Sequence, residues 1–140
     1  MTYTACLKVL LPRLLPVIIL LAIAGLSKAG QDTLVHHYAG SIFDGGHAEF
    51  WNPALSWKNK YADWDGGDHA ERFPLATTWL VAFTDGWHLL DNLRTLAMLA
   101  GAMWAGQIAG PFRWRLLALG AICMVAFTLF FHLAYTYWFV

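Results

Sequence analysis

The sequence predicts an all-α integral membrane protein with three transmembrane helices, a second helix that breaks or protrudes, and an aromatic-rich external cap. Three observations carry this reading. Apolar residues make up 59% of the 140 and charged residues 13%, against about 45–50% and about 25% in ordinary soluble domains. Eight tryptophans and nine phenylalanines are more than the core of one domain this size can hide, so apolar surface must face lipid. All nine acidic residues and five of the six histidines fall between Asp32 and Asp91, which confines the polar chemistry to one block.

The first helix is expected over about residues 10–29. Its centre, LLPVIILLAIAGLS, is apolar, with Lys8 and Arg13 before it and Lys28 after it. Pro12 and Pro16 fall in its first turns, where a helix accepts proline or kinks around it. The same segment reads as a signal peptide, with Ser27-Lys28-Ala29 as a small-X-small cleavage site; a retained anchor is the expectation taken forward. Residues 30–73 form the external cap. Tyr38, Phe43, Phe50, Trp51, Trp57, Tyr61, Trp64 and Phe73 make it too aromatic for a disordered linker. Within it, residues 48–62 form either an amphipathic helix on the membrane surface, with Lys58 and Lys60 toward headgroups, or a small cap packed over the helix ends.

From Phe73 to Gly110 the chain reads as helix. Its roughly 38 residues would extend about 57 Å, well beyond a hydrocarbon core of about 30 Å. Asp85-Gly86 is the expected break, because glycine is the weakest helix former there apart from proline. That leaves an interfacial helix at about 74–85 and a second span at about 87–110. The third span, about 114–138, ends in Tyr135, Tyr137, Trp138 and Phe139, rings suited to a bilayer surface. Lys8 with Arg13, and Arg113 with Arg115 in the turn after Gly110-Pro111-Phe112, are both cytoplasmic if the N-terminus is inside and the C-terminus external. A bacterial inner membrane fits that arrangement.

The candidate site lies in three related motifs, Asp44-Gly45-Gly46-His47, Asp65-Gly66-Gly67-Asp68-His69 and Asp85-Gly86-Trp87-His88. On a helix Asp85, His88 and Asp91 share one face, and carboxylate-X-X-His is the spacing by which bundle helices present metal ligands. Asp91 lies 19 residues before Gly110 and His132 lies 18 after Trp114. Both should sit about 27–28 Å from the inner turn, at matching depth. The expected metal site is therefore Asp85, His88, Asp91 and His132, with His47 or His69 closing it from above. Such ligands suit Zn²⁺, Fe²⁺ or Mn²⁺, and less well Ca²⁺, for which Asp63, Asp65 and Asp68 are alternatives. Asp-Gly and Gly-Gly are also common turn dipeptides, so each motif has a purely structural reading. Ala102, Gly106 and Gly110 form a small-xxx-small ridge for packing helix 2 or for homo-oligomeric contact. Cys6 and Cys123 read as apolar fillers.

Residues 50–60 (FWNPALSWKNK) and 73–90 (FPLATTWLVAFTDGWHLL) resemble a pattern found in small, uncharacterised bacterial and phage-associated membrane proteins. The resemblance covers about a fifth of the chain and implies that Trp51, Asn52, Pro53, Trp57, Lys58, Asp85, Trp87 and His88 form one unit. It brings no activity with it.

Zero net charge and the absence of a basic patch argue against nucleic acid. Neither Gly-X-Ser-X-Gly nor a phosphate-binding Gly-Lys loop is present. Three functions follow: a metal-dependent hydrolase of an amphiphilic substrate, a non-catalytic subunit or self-assembling module of a membrane complex, or a holin-like permeabilising protein. Membrane lipid and a second copy or partner subunit are the expected partners.

Overall fold

The computed structural model describes the backbone of residues 3–109 and 113–139, and the side chains of 11–109, 114–115 and 117–139. Gly110, Pro111 and Phe112, the expected inner turn, lie outside the described residues, as do the side chains of Cys6, Lys8 and Arg113.

The chain is 72% helical. Helix α1 (Tyr3–His36) is followed by two single turns, α2 (Ala48–Trp51) and α3 (Pro53–Ser56), and a 3₁₀ turn, Trp57–Lys60. Next comes a small antiparallel hairpin, β1 (Tyr61–Asp63) with β2 (Asp68–Glu71). A second 3₁₀ turn, Val81–Phe83, precedes α4 (Gly86–Ala109) and α5 (Arg113–Leu133), and α5 runs on into a π-helical turn, Ala134–Trp138.

Helix α1 is the middle member of the bundle. It packs most extensively on α4 and next on α5, while α4 and α5 touch each other least. Small residues set these approaches. A Cβ on Gly25 would lie 2.8 Å from the Phe127 carbonyl of α5, and one on Gly30 2.8 Å from Leu90 of α4. The core joins Val17 and Leu21 of α1, Ala105 and Ala109 of α4 and Leu119 of α5. Pro12 and Pro16 are accommodated inside α1. Just before Pro16, the indole N–H of Trp104 donates to the Arg13 carbonyl at 3.2 Å.

Beyond Gly86 at its start, the small residues that α4 buries are Ala97, Gly101, Ala105 and Ala109. The expected ridge is displaced by one helical face: Ala102 and Gly106 are exposed, and a Cβ on Gly106 would meet nothing within 4 Å. Both rows have four-residue spacing, and only packing against α1 distinguishes them.

Among the described residues, two helical segments, Leu11–His36 and Leu117–Trp138, are long and apolar enough to cross a membrane, rather than the three expected. Helix α4 is 24 residues long, but Asp91, Asn92, Arg94 and Gln107 reduce its apolarity. The expected interfacial helix at 74–85 is also absent. Leu75 takes a left-handed φ of 66°, and the Glu71 carboxylate accepts the Leu75 and Thr77 N–H groups at 3.0 and 3.1 Å. A side chain thus satisfies donors that would otherwise begin a helix. Of the two expectations for residues 48–62, the single amphipathic helix is not formed, because the segment is divided. Pro53 drives Asn52 to φ −76°, ψ 112°, and Asn52 Oδ1 accepts the Ala54 N–H at 2.9 Å to start α3.

Candidate functional site

The cap is assembled on the N-terminus of α4. Asp85, 2% exposed, is the N-cap: its Oδ1 accepts the His88 N–H at 2.9 Å, satisfying an otherwise orphaned donor of the first turn. Its Oδ2 lies 2.7 Å from His88 Nδ1 and accepts the Thr84 hydroxyl at 3.0 Å. The Nδ1 contact leaves His88 Nε2 on the side of the imidazole away from the carboxylate. The His88 side chain is 27% exposed. The Asp-X-X-His spacing does place both groups together, and the same carboxylate caps the helix.

Trp51 closes this corner. A Cβ on Gly86 would fall 2.2 Å from its ring, so the indole occupies the space a side chain would fill. Phe43 lies 5.0 Å from Trp51 and 5.5 Å from Phe139, centroid to centroid, and the Ile42 N–H donates to the Phe139 carbonyl at 3.3 Å. The cap is thereby tied to the ends of both α4 and α5. Asn59 spans it, donating to the carbonyls of Glu49 at 2.5 Å and Thr84 at 3.0 Å. Sequence reasoning missed Asn59, because a single loop amide between two lysines has no periodicity to reveal it.

A second polar layer lies between α1 and α4. Gln31, 3% exposed, donates to Asp91 Oδ1 at 3.2 Å, and Arg94 reaches the same carboxylate at 2.5 Å. Lys28 pairs with Asp32 one turn apart on α1. Asp91 is thus an ion-pair and cross-helix partner. Gln31 was also missed, since it lies in the polar tail of α1 where no apolar stripe marks its direction.

His132 does not join this layer. It is exposed on α5 and lines an open apolar groove with Met124, Val125, Thr128 and Leu129; its ring contact is with Phe131, at 5.2 Å. Equal rise along two helices predicted its depth, but depth says nothing about rotation about the helix axis. His47 is exposed ahead of α2, and its side chain makes no cap hydrogen bond. His69 stacks on Trp64 at 4.2 Å and 26°, within a hairpin cluster that includes Tyr61. Among the described residues, no group of three or more His, Cys, Asp or Glu side chains is placed to share an ion.

The other carboxylates hold turns. Asp44 accepts the Gly40 N–H at 3.1 Å, Asp63 that of Gly66 at 2.9 Å, and Asp68 that of Ala70 at 3.0 Å. Asp65 pairs with Lys58 at 2.6 Å. Glu71 also accepts the Thr77 hydroxyl. That bond, then the Thr77 N–H, hold its carboxyl below the usual range against a small opposing effect of burial, with the Leu75 N–H adding to the lowering.

No protein-family model matches the chain, and no curated protein or solved structure shows significant similarity to it.

Proposed function

We propose that this chain is a non-catalytic membrane module: a three-helix anchor that holds a folded external cap and assembles with a second copy or a partner subunit. The observation that carries the reading is the exposure of α5. Only 11% of its most apolar window is buried, whereas the core helix of a soluble protein would be mostly covered. Met124, Val125 and Leu129 are 72%, 69% and 53% exposed, which in water would form an apolar face far larger than soluble monomers present. Lipid or another helix is the natural cover. In this reading α4 crosses as the third helix, its charge offset by the Asp91–Arg94 pair facing Gln31. The carboxylates support the non-catalytic assignment, since eight of them serve caps, turns and ion pairs.

Alkaline carbonate extraction of membranes expressing the chain tests the anchor. The protein should remain in the pellet and be released only by detergent; recovery in the carbonate supernatant would refute membrane spanning. Light scattering in mild detergent then tests assembly, and a protein mass of one chain alone would count against it.

A second reading has one observation in its favour. Asp85 orients His88 as carboxylates orient metal-bound or catalytic imidazoles, and Nε2 remains directed elsewhere. Under this reading His88 is a ligand or base for metal-dependent hydrolysis of an amphiphile at the membrane face. Elemental analysis of the purified protein separates the two. Stoichiometric zinc, iron or manganese that is lost in His88→Ala would favour the second reading over the first.

A further inference from the structure

Between Arg72 and Asp85 the chain carries no charge over twelve residues, FPLATTWLVAFT, inside the very block that holds every acidic residue. The fold does not bury this apolar island. Leu75 is 49% exposed, Trp79 85%, Leu80 38% and Phe83 71%, while Ala76 beneath them is fully covered. The segment is nevertheless held in a defined shape. The Glu71 carboxylate takes the N–H groups of Leu75 and Thr77 together with the Thr77 hydroxyl, and the Leu80 N–H returns to the Leu75 carbonyl at 2.9 Å. The result is a hydrogen-bonded knuckle whose large side chains are exposed.

Its position and its neighbours identify what it meets. The Val81–Phe83 turn packs on α4, so the knuckle stands beside the first turn of that helix. Ring contacts from Phe139 through Phe43 to Trp51 put the end of α5 at the same end of the bundle, where Tyr137 and Trp138 are 74% and 57% exposed. At the knuckle's root, the Arg72 N–H donates to the Lys60 carbonyl at 3.0 Å, which brings two cationic residues together. Exposed aromatic and aliphatic side chains next to two cationic residues are the composition of an interfacial membrane contact.

We propose that the 73–83 knuckle is a lipid-surface anchor, seating Trp79 and Phe83 at the headgroup–acyl boundary of the membrane that α5 crosses, with Lys60 and Arg72 against lipid phosphates and Glu71 holding the shape. This rests on the membrane-spanning reading above, and the test keeps the two separable.

The full chain, with Cys6 and Cys123 replaced by serine, is reconstituted into mixed phosphatidylcholine and phosphatidylglycerol vesicles. An environment-sensitive NBD fluorophore is attached at Trp79→Cys, at Val125→Cys on α5, or at Asp65→Cys in the hairpin. The label at 79 should show blue-shifted emission, quenching by shallow doxyl lipids, and protection from aqueous iodide. The label at 65 should stay red and iodide-accessible. Glu71→Gln and the double variant Lys60→Gln/Arg72→Gln should each lower lipid quenching at 79 without altering it at 125. Iodide access at 79 with deep lipid quenching at 125 would overturn the anchor while leaving the span intact. So would protection from iodide without lipid quenching at 79, because a protein would then cover the knuckle. Loss of lipid quenching at 125 would instead refute the span, and the anchor with it. Unchanged quenching at 79 in Glu71→Gln, with helical content preserved, would remove Glu71 from the proposal.

Discussion

Gly86 shows how much can depend on one missing side chain. With Trp51 ring carbon 2.2 Å from where its Cβ would stand, Gly86→Ala should push the indole off the start of α4. Overpacking of this kind typically costs about 1–3 kcal/mol. Thermal unfolding in detergent should show the loss, and Trp51→Ala should make the added methyl much less harmful, because the two share one volume. Equal destabilisation by Gly86→Ala in both backgrounds would mean that the ring contact is not the reason for the glycine. Glu71 governs a different corner. Its folded-state pKa lies below the ordinary value, so its contribution is present above that ordinary value and is lost as pH falls through the lowered one. The amide resonances of Leu75 and Thr77 should therefore titrate together at a midpoint below that of a free glutamate, about 4.3, and should not titrate in Glu71→Gln. A midpoint at or above the free value would show that the carboxylate gains nothing from its three donors.

At the scale of elements, α4 carries two rows of small residues and only one of them packs. Ala105→Leu would insert a large side chain among Val17, Leu21 and Leu119 and should lower the unfolding temperature in detergent, whereas Ala102→Leu should leave it nearly unchanged. If copies associate along the outer row, Ala102→Leu should also reduce the mass seen by light scattering. Equal effects of the two substitutions on unfolding would contradict the packing of α4 on α1. The segment before α4 teaches a related lesson. Residues 74–85 have enough apolar character for a helix, yet Glu71 supplies acceptors to Leu75 and Thr77, and the β-branched pair Thr77-Thr78 favours helix only weakly.

For the whole molecule, the decisive quantity is where apolar surface remains uncovered. Helix α1 lies between α4 and α5, yet Leu11, Leu15, Ile19 and Ile23 still form an outward row, 62% to 38% exposed. A three-helix bundle cannot enclose its own middle helix, so the remaining faces need lipid or protein. The proposed orientation rests on charge: if α4 crosses as the third helix and Arg113 and Arg115 face the cytoplasm, the C-terminus is outside. A periplasm-active reporter fused after Val140 should be active. Activity of a cytoplasmic reporter at that position would reverse the orientation and put the cap and the knuckle on the inner face.

Composition and segment length by themselves determined that the chain is mostly helix, that apolar spans fall at about residues 10–29 and 114–138, and that the chain breaks at Asp85-Gly86; the structure carries the first helix on to His36, through residues expected in the cap. These properties depend on residues near one another in sequence. Local spacing also paired Asp85 with His88, which lie three apart. It did not decide what the pair is for, because an N-cap and a ligand pair call for the same residues. Tertiary structure alone decided the rotation of each helix about its axis, and everything that rotation controls. It turned His132 away from His88, brought Gln31 to Asp91, and chose Ala105 over Ala102 for the core. It also brought Trp51 onto Gly86 and Asn59 onto Thr84, contacts between residues 35 and 25 positions apart. The physical reason is that the rise along a helix is the same for every sequence, whereas its azimuth is set by which small residues allow a neighbouring backbone to come close.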